Sequence, residues 1–382
     1  MTAVVSREAA LFASTTKSFL DKQASLADLR SWHESGVSVD RRWWQQAAEL
    51  GWTALLMPDE LGGGSPSGDG VADLAAISTL IGHTVAPGPL HPVSIVLTAL
   101  ADAANSNSHA QLIDDLISGR MIASWAVYEP DEEWSSDDPT PNLQATRTST
   151  GFRLDGAKDR VEAGNDSDVF LVVAQCGSST SQFVVSSHAD GITLTPQSSV
   201  DLVKGYAHVT FDGVEIDHNA VVGSPEQTPA LIERQSQIAL LLQCSELVGV
   251  IDAVLTMTIQ WARDRHTFGR PIGSYQALKH RFADMKIWFE ACRAATDQAV
   301  ADVSARSLDA PRSVSVAKSF VADRACAIIQ DCVQMHGGIG VTWEHDLHLY
   351  LRRATLYRAM YGSPEYHDRR VFSLMEASQP LR

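Results

Sequence analysis

The sequence predicts an α+β multidomain fold: an N-terminal helical domain (1–121), a middle antiparallel β domain (122–226) and a C-terminal four-helix bundle (227–382). Three observations carry this expectation. At 382 residues the chain is too long for one ordinary core, so two or three domains are expected. Apolar residues recur at helical spacing before Met121 and again after Pro229. Between them lie short β-branched or alternating runs, cut by turn residues at close intervals.

Amphipathic patterns place N-terminal helices at 9–20, 41–50, 71–84, 92–104 and 109–118. Gly/Pro-rich breaks at 62–66 and 87–89 separate them. The triple glycine at 62–64 lacks a following Lys-Ser/Thr, so it reads as a turn and not as a phosphate loop. Strands are expected at 122–127, 143–147, 152–156, 169–174, 182–185, 192–196 and 208–211. Residues 131–141 are acidic and Pro/Ser-rich, as a mobile loop would be. After 229 one long buried helix runs to about 265. Others follow at 275–305, 311–336 and 345–361, and their short connections predict an antiparallel bundle. There is no internal repeat.

Composition narrows the function. Hydrophobic residues make up 45% of the chain, as in a globular protein. No run approaches the roughly 20 apolar residues of a membrane span. The N-terminus shows no basic region followed by an apolar one, so no secretory signal is expected. The five cysteines are scattered, with no zinc-like spacing; they read as reduced packing residues, and the location as cytoplasmic. No metal is expected. A formal charge of −16 argues against nucleic acid as a partner.

Two constellations carry chemistry. Glu246 lies within an apolar helix, and steps of three or four from it reach Ala239, Leu242, Gly249, Val250 and Ala253. A desolvated carboxylate there would be a stronger base, with Gly249 leaving room beside it. The bland alternative is an acid paired with an arginine or turned to solvent. Further on, Arg263, Arg265 and Arg270 surround a Phe268–Gly269 turn, and 334–340 is a second glycine-rich turn. Arginines and open backbone amides together suit an anionic ligand such as a pyrophosphate. His336 reads as a packed or capping residue, Glu344 and Asp346 as a helix cap, and Arg352, Arg353 and Arg358 as a solvated or interface face.

Several stretches resemble the acyl-CoA dehydrogenase family, in the right order over most of the chain. RDRHTFGRPIGSYQALKHRFADM looks like its RxxFGxPIxxxQ…LADM signature, and QMHGGIGVTWEHD like its QxxGGxGxTxE segment. LGWTALLMPDELGGG, AVYEP and LDGAKDRV look like further landmarks. The resemblance implies α,β-dehydrogenation of a CoA thioester with FAD, an electron-transfer flavoprotein as acceptor and a tetramer. It assigns cofactor contacts to Arg265, Thr267, Phe268, Gln276, Gln334, Gly337 and Gly338, and in the middle domain to Val127 and Tyr128. The two usual base positions fall on Tyr361 and Ala239, and Glu246 lies two turns beyond Ala239. That shifted position is similar to the actinobacterial heteromeric branch acting on bulky, steroid-bearing thioesters. The chain departs from the family where Tyr128 replaces a Thr, Arg160 the Trp that covers the flavin, and Glu162 a Thr. Two functions follow: a dehydrogenase using Glu246, or a non-catalytic subunit completing the FAD site of a neighbouring paralogue in an α2β2 assembly.

Overall fold

A computed structural model describes residues 6–135 and 141–378. Six helices come first: α1 (Arg7–Gln23), α2 (Leu26–Ser35), α3 (Arg41–Glu49), α4 (Gly70–Thr84), α5 (Leu90–Asp102) and α6 (Ala110–Ile117). Eight strands follow: β1 (Ala123–Ala126), β2 (Gln144–Arg147), β3 (Gly151–Glu162), β4 (Val169–Cys176), β5 (Ser179–Ser186), β6 (Ile192–Gln197), β7 (Tyr206–Asp217) and β8 (Val221–Val222). The C-terminal part holds α7 (Thr228–Asp264), a hairpin of β9 (His266–Thr267) and β10 (Arg270–Pro271), α8 (Gln276–Ser304), α9 (Ala310–His336), α10 (Leu347–Ala359) and α11 (Pro364–Ser378). The order of helical, β and helical parts is the expected one. Helices α2 and α11 and strand β8 are additions. Pro364 opens α11 just past Gly362, since proline is favoured in a first helical turn and glycine beyond a last one. Residues 136–140 of the expected mobile loop lie outside the described residues.

The chain divides into two compact units. The first comprises Met1–Ala10, Arg30–Leu74 and Pro87–Ala239, and the second Leu11–Leu29, Ala75–Ala86 and Leu240–Arg382.

The first unit is built on an eight-stranded sheet of order β6-β7-β3-β2-β4-β5-β8, with β1 beside β4. It is not wholly antiparallel, as the strand pattern suggested, because β1 and β2 both run parallel to β4. Parallel neighbours need long connections, and about forty residues separate β1 from β4. Phe152, Phe170, Phe183, Val209 and Phe211 fill the core beneath the sheet. Strand β3 is longer than expected, and its pairing with β7 slips between Lys158 and Val161. An irregularity of this kind re-aims side chains. Arg160 lies inside it with a left-handed φ of 47°, its N–H bonded to Gln197 Oε1 at 3.0 Å and not to a ladder partner.

In the second unit α9 packs against α8, α10 and α11. Helix α7 is long and apolar enough to cross a membrane by length and composition alone, although charged residues interrupt its apolar runs. Yet 94% of its most apolar 18 residues are buried within the protein, as in a core helix. The room beside Gly249 is taken by protein: a Cβ there would run into the carbonyl oxygen of Thr79 in α4, and one on Gly82 into that of Glu246. The two helices therefore meet backbone to backbone, which only glycine allows. Gly249→Ala is expected to cost about 1–3 kcal/mol through overpacking, read as a lower unfolding midpoint in denaturant.

Candidate active site

Glu246 is wholly buried in the second unit and carries partners on both oxygens. Arg353 Nη1 in α10 donates to Oε1, and the Tyr357 hydroxyl donates to Oε2 at 2.8 Å. Arg353 is also wholly buried, and its Nη2 donates to the carbonyl of Val85 at 3.1 Å. Val85 adopts a left-handed φ of 45°, a costly backbone for a β-branched residue, and the contact helps to hold it. The assignment of Arg353 to a solvated or interface face is therefore corrected. Its i−3 and i+4 neighbours on α10, Tyr350 and Tyr357, are both buried, and that spacing was the available signal. Lys318 in α9 supports the same corner. It donates to Gln243 Oε1 at 2.7 Å, to Met360 O at 2.8 Å and to Tyr357 O, a cation at the end of α10. Burial drops its ammonium to a pKa of about 8.

The second constellation is assembled at the far end of α7. Nineteen residues of helix separate Glu246 from Arg265, a span of roughly 28 Å. Arg265 and Gln276 are exposed, Thr267 is half-buried, and Phe268 stands at the hairpin tip, 96% exposed with φ at 51°. Trp261 joins this hairpin to the second glycine turn. Its ring lies 5.8 Å from the Arg265 guanidinium and stacks on His336 at 5.2 Å, and its Nε1 donates to Met335 O at 3.3 Å. Gly337 ends α9 at φ 67°, and a Cβ on Gly269, Gly337 or Gly338 would meet nothing within 4 Å. With Gln334 also exposed, the structure brings Arg265, Gln334, Gly337 and Gly338 to one open, cationic turn region. His336 is 5% exposed and packed, as its reading required.

Val127 and Tyr128 fall in the first unit, where they line a pocket of about 330 Å³ with Glu129, Glu132, Glu133 and Trp134. Arg160 lies over the Tyr128 ring at 4.5 Å and donates from Nη2 to the carbonyls of Glu129 (3.0 Å) and Glu132 (2.8 Å). Lys158, wholly buried, donates to Glu129 Oε1, and Lys204 pairs with the buried Glu162 at 2.9 Å. Of the residues that depart from the family pattern, Arg160 is thus bound to Tyr128, while Glu162 is paired with Lys204.

The chain matches the model of the acyl-CoA dehydrogenase N-terminal domain over residues 6–120 and of the C-terminal domain over 238–373. It is 28% identical over 370 residues to the acyl-CoA dehydrogenase IpdE2 of Mycolicibacterium smegmatis, covering 96% of this chain and 98% of that one. Butyryl-CoA dehydrogenase of Megasphaera elsdenii shares the fold at a TM-score of 0.90, with 17% identity over 98% of this chain and 100% of the other. A chain of the ChsE4–ChsE5 complex of Mycobacterium tuberculosis aligns at a TM-score of 0.87 and 26% identity, covering 100% of both. The chain belongs to the acyl-CoA dehydrogenase family.

It is on that ground an FAD-dependent oxidoreductase of acyl-CoA thioesters. Its two candidate cofactor regions differ in how well they suit this group. The hairpin and glycine turn offer exposed arginines and open backbone, which fit the pyrophosphate of FAD. The Tyr128 pocket carries three carboxylates, and among the described residues no Lys or Arg lines it, so it does not fit an anionic dinucleotide.

Removing one member of a buried ion pair leaves an uncompensated charge. Glu246→Leu alone is expected to cost about 3–5 kcal/mol, while Glu246→Leu with Arg353→Met should cost clearly less than the sum of the singles. Thermal unfolding of the four proteins in this cycle checks the coupling.

Proposed function

We propose that this acyl-CoA dehydrogenase chain acts as one subunit of a heteromeric enzyme, lending its Arg265 hairpin and Gly337 turn to FAD held by a paralogous partner. The observation that carries this is the contrast between the two regions. The hairpin tip is exposed and cationic, while Arg160 and Glu129 beside Tyr128 are engaged within the chain. The named complex of two different chains among the aligned structures supports the same arrangement. The proposed reaction is α,β-dehydrogenation of a CoA thioester with a bulky, polycyclic acyl group. An electron-transfer flavoprotein takes the electrons. The first rests on the resemblance to the heteromeric branch, the second on that to the family.

The absorbance spectrum and native mass of the purified chain, alone and co-expressed with its paralogue, test the proposal. The expected result is a colourless chain alone and about one FAD per pair in the complex. Arg265→Ala should weaken FAD retention in that complex by about tenfold, the loss of one charge-assisted contact. A yellow chain with one FAD of its own sinks the subunit reading.

A second reading is favoured by Glu246, an acid placed on a helix face with a hydroxyl on one oxygen. Here Glu246 is the base, with Arg353 and Tyr357 fixing its position. Glu246→Gln should then abolish substrate bleaching of bound flavin while flavin content stays unchanged. Bleaching at the wild-type rate in this variant leaves Glu246 a purely structural acid.

A further inference from the structure

Lys318 of α9 is wholly buried, and among the described residues no carboxylate pairs with it. An ammonium has three N–H donors and no acceptor, and here all three are used: on Gln243 Oε1 at 2.7 Å, on Met360 O at 2.8 Å and on Tyr357 O. These contacts converge on Glu246. Gln243 lies three residues before it on α7, a neighbouring position on one helix face. Tyr357 is the residue whose hydroxyl meets Glu246 Oε2, so Lys318 holds by its carbonyl the residue that holds the acid. That carbonyl belongs to the last turn of α10, where a helix has no intrahelical donor to offer. Arg353, the other partner of Glu246, stands four residues earlier on the same helix.

Packing alone does not account for this junction. Burial disfavours the ammonium and drops its pKa from the ordinary 10.5 to about 8, whereas a methionine of similar length would carry no such cost. Gln243 is also buried, and while its Oε1 serves Lys318, its Nε2 has no hydrogen-bond partner. A leucine there would fill the space without an orphaned donor. Cys244 of α7, Cys326 of α9 and His367 of α11 face the ammonium. Burial pushes the Cys244 thiol up to about 12, raises that of Cys326 and lowers His367 to about 3, so all three are neutral near pH 7. The charge is therefore held by the three oxygens that tie α7 to the end of α10. What such a junction adds over an apolar one is direction, because hydrogen bonds fix where a helix end points and dispersion contacts do not.

We propose that Lys318 is a positioning residue for Glu246: it aims the Tyr357 hydroxyl and the Arg353 guanidinium at the acid and so keeps it an oriented carboxylate. The consequence for the reaction rests on the reading of Glu246 as the base; the consequence for the carboxylate itself does not.

Infrared difference spectra of the full-length protein test the second consequence without substrate. The carboxylic C=O band that is absent from Glu246→Gln reports protonation of this acid, and titration gives its midpoint. Lys318→Met is expected to raise that midpoint by at least about one pH unit, a tenfold shift, because donors no longer aimed at the acid favour its charged form less. Should Lys318→Met not fold, Gln243→Leu leaves the ammonium on α10 and cuts its tie to α7, and a shift in the same direction is expected. A midpoint that stays at the wild-type value overturns the proposal. Bleaching of the FAD-loaded enzyme by 3-(2-decalyl)propanoyl-CoA, a polycyclic thioester with hydrogens on both reacting carbons, tests the first consequence. Lys318→Met should slow it at least about tenfold, with flavin content and the half-saturating thioester concentration unchanged, since a misplaced base loses rate and not binding. Glu246→Gln separates the two possible failures. Bleaching at the wild-type rate in Glu246→Gln sinks the base reading and leaves the infrared shift standing. Loss of bleaching there, with a wild-type rate in Lys318→Met, overturns the positioning role and leaves the base in place.

Discussion

A carboxylate in the middle of a buried helix must either lose its charge or find a partner, and much of the second unit follows from which it does. Glu246 finds Arg353 and Tyr357, and α7 and α10 are held in one register by that choice. The desolvation of two charges is large, and their attraction offsets it only where the remaining hydrogen bonds are also made. Here they are: Tyr357 serves the second carboxylate oxygen, and Val85 takes a second donor of Arg353. Lys318, a second buried cation, holds the end of α10 that carries Tyr357. Close approach of α4 to α7 at Gly82 and Gly249 seals the same region. The stripe of small residues thus serves helix contact.

The first unit repeats this logic with different groups. Glu129 with Lys158 and Glu162 with Lys204 are both buried pairs at or beside the bulged strand β3. The register slip between Lys158 and Val161 turns Arg160 back over Tyr128. Two departures from the family's usual residues, Tyr128 and Arg160, are therefore one connected arrangement. By contrast, Phe268 at the tip of the Arg265 hairpin is almost fully exposed, and Arg265 and Arg270 beside it are exposed too. An exposed aromatic between two arginines is the kind of surface another chain covers. That asymmetry underlies the proposed division of labour between this chain and a partner.

The sequence by itself determined the order of helical, β and helical parts, because hydrophobic period is a local property that each segment carries alone. Most helices stand within a few residues of their expected places, and the Arg265 and Gly337 motifs were readable because turn glycines and clustered arginines are contiguous. Tertiary structure alone decided what Glu246 faces. Its partner lies 107 residues away, and no periodicity in α7 announces a cation arriving from α10. The space beside Gly249 looked open for the same reason: a glycine states that something comes close, and only the packed fold shows that it is the backbone of α4. The parallel pairing of β1 with β4 and the turning of Arg160 belong to this class too, since strand order and bulges are set by contacts between segments distant in sequence. Local pattern fixes which elements form, while the partners of buried charges depend on three-dimensional contacts that the linear spacing does not contain.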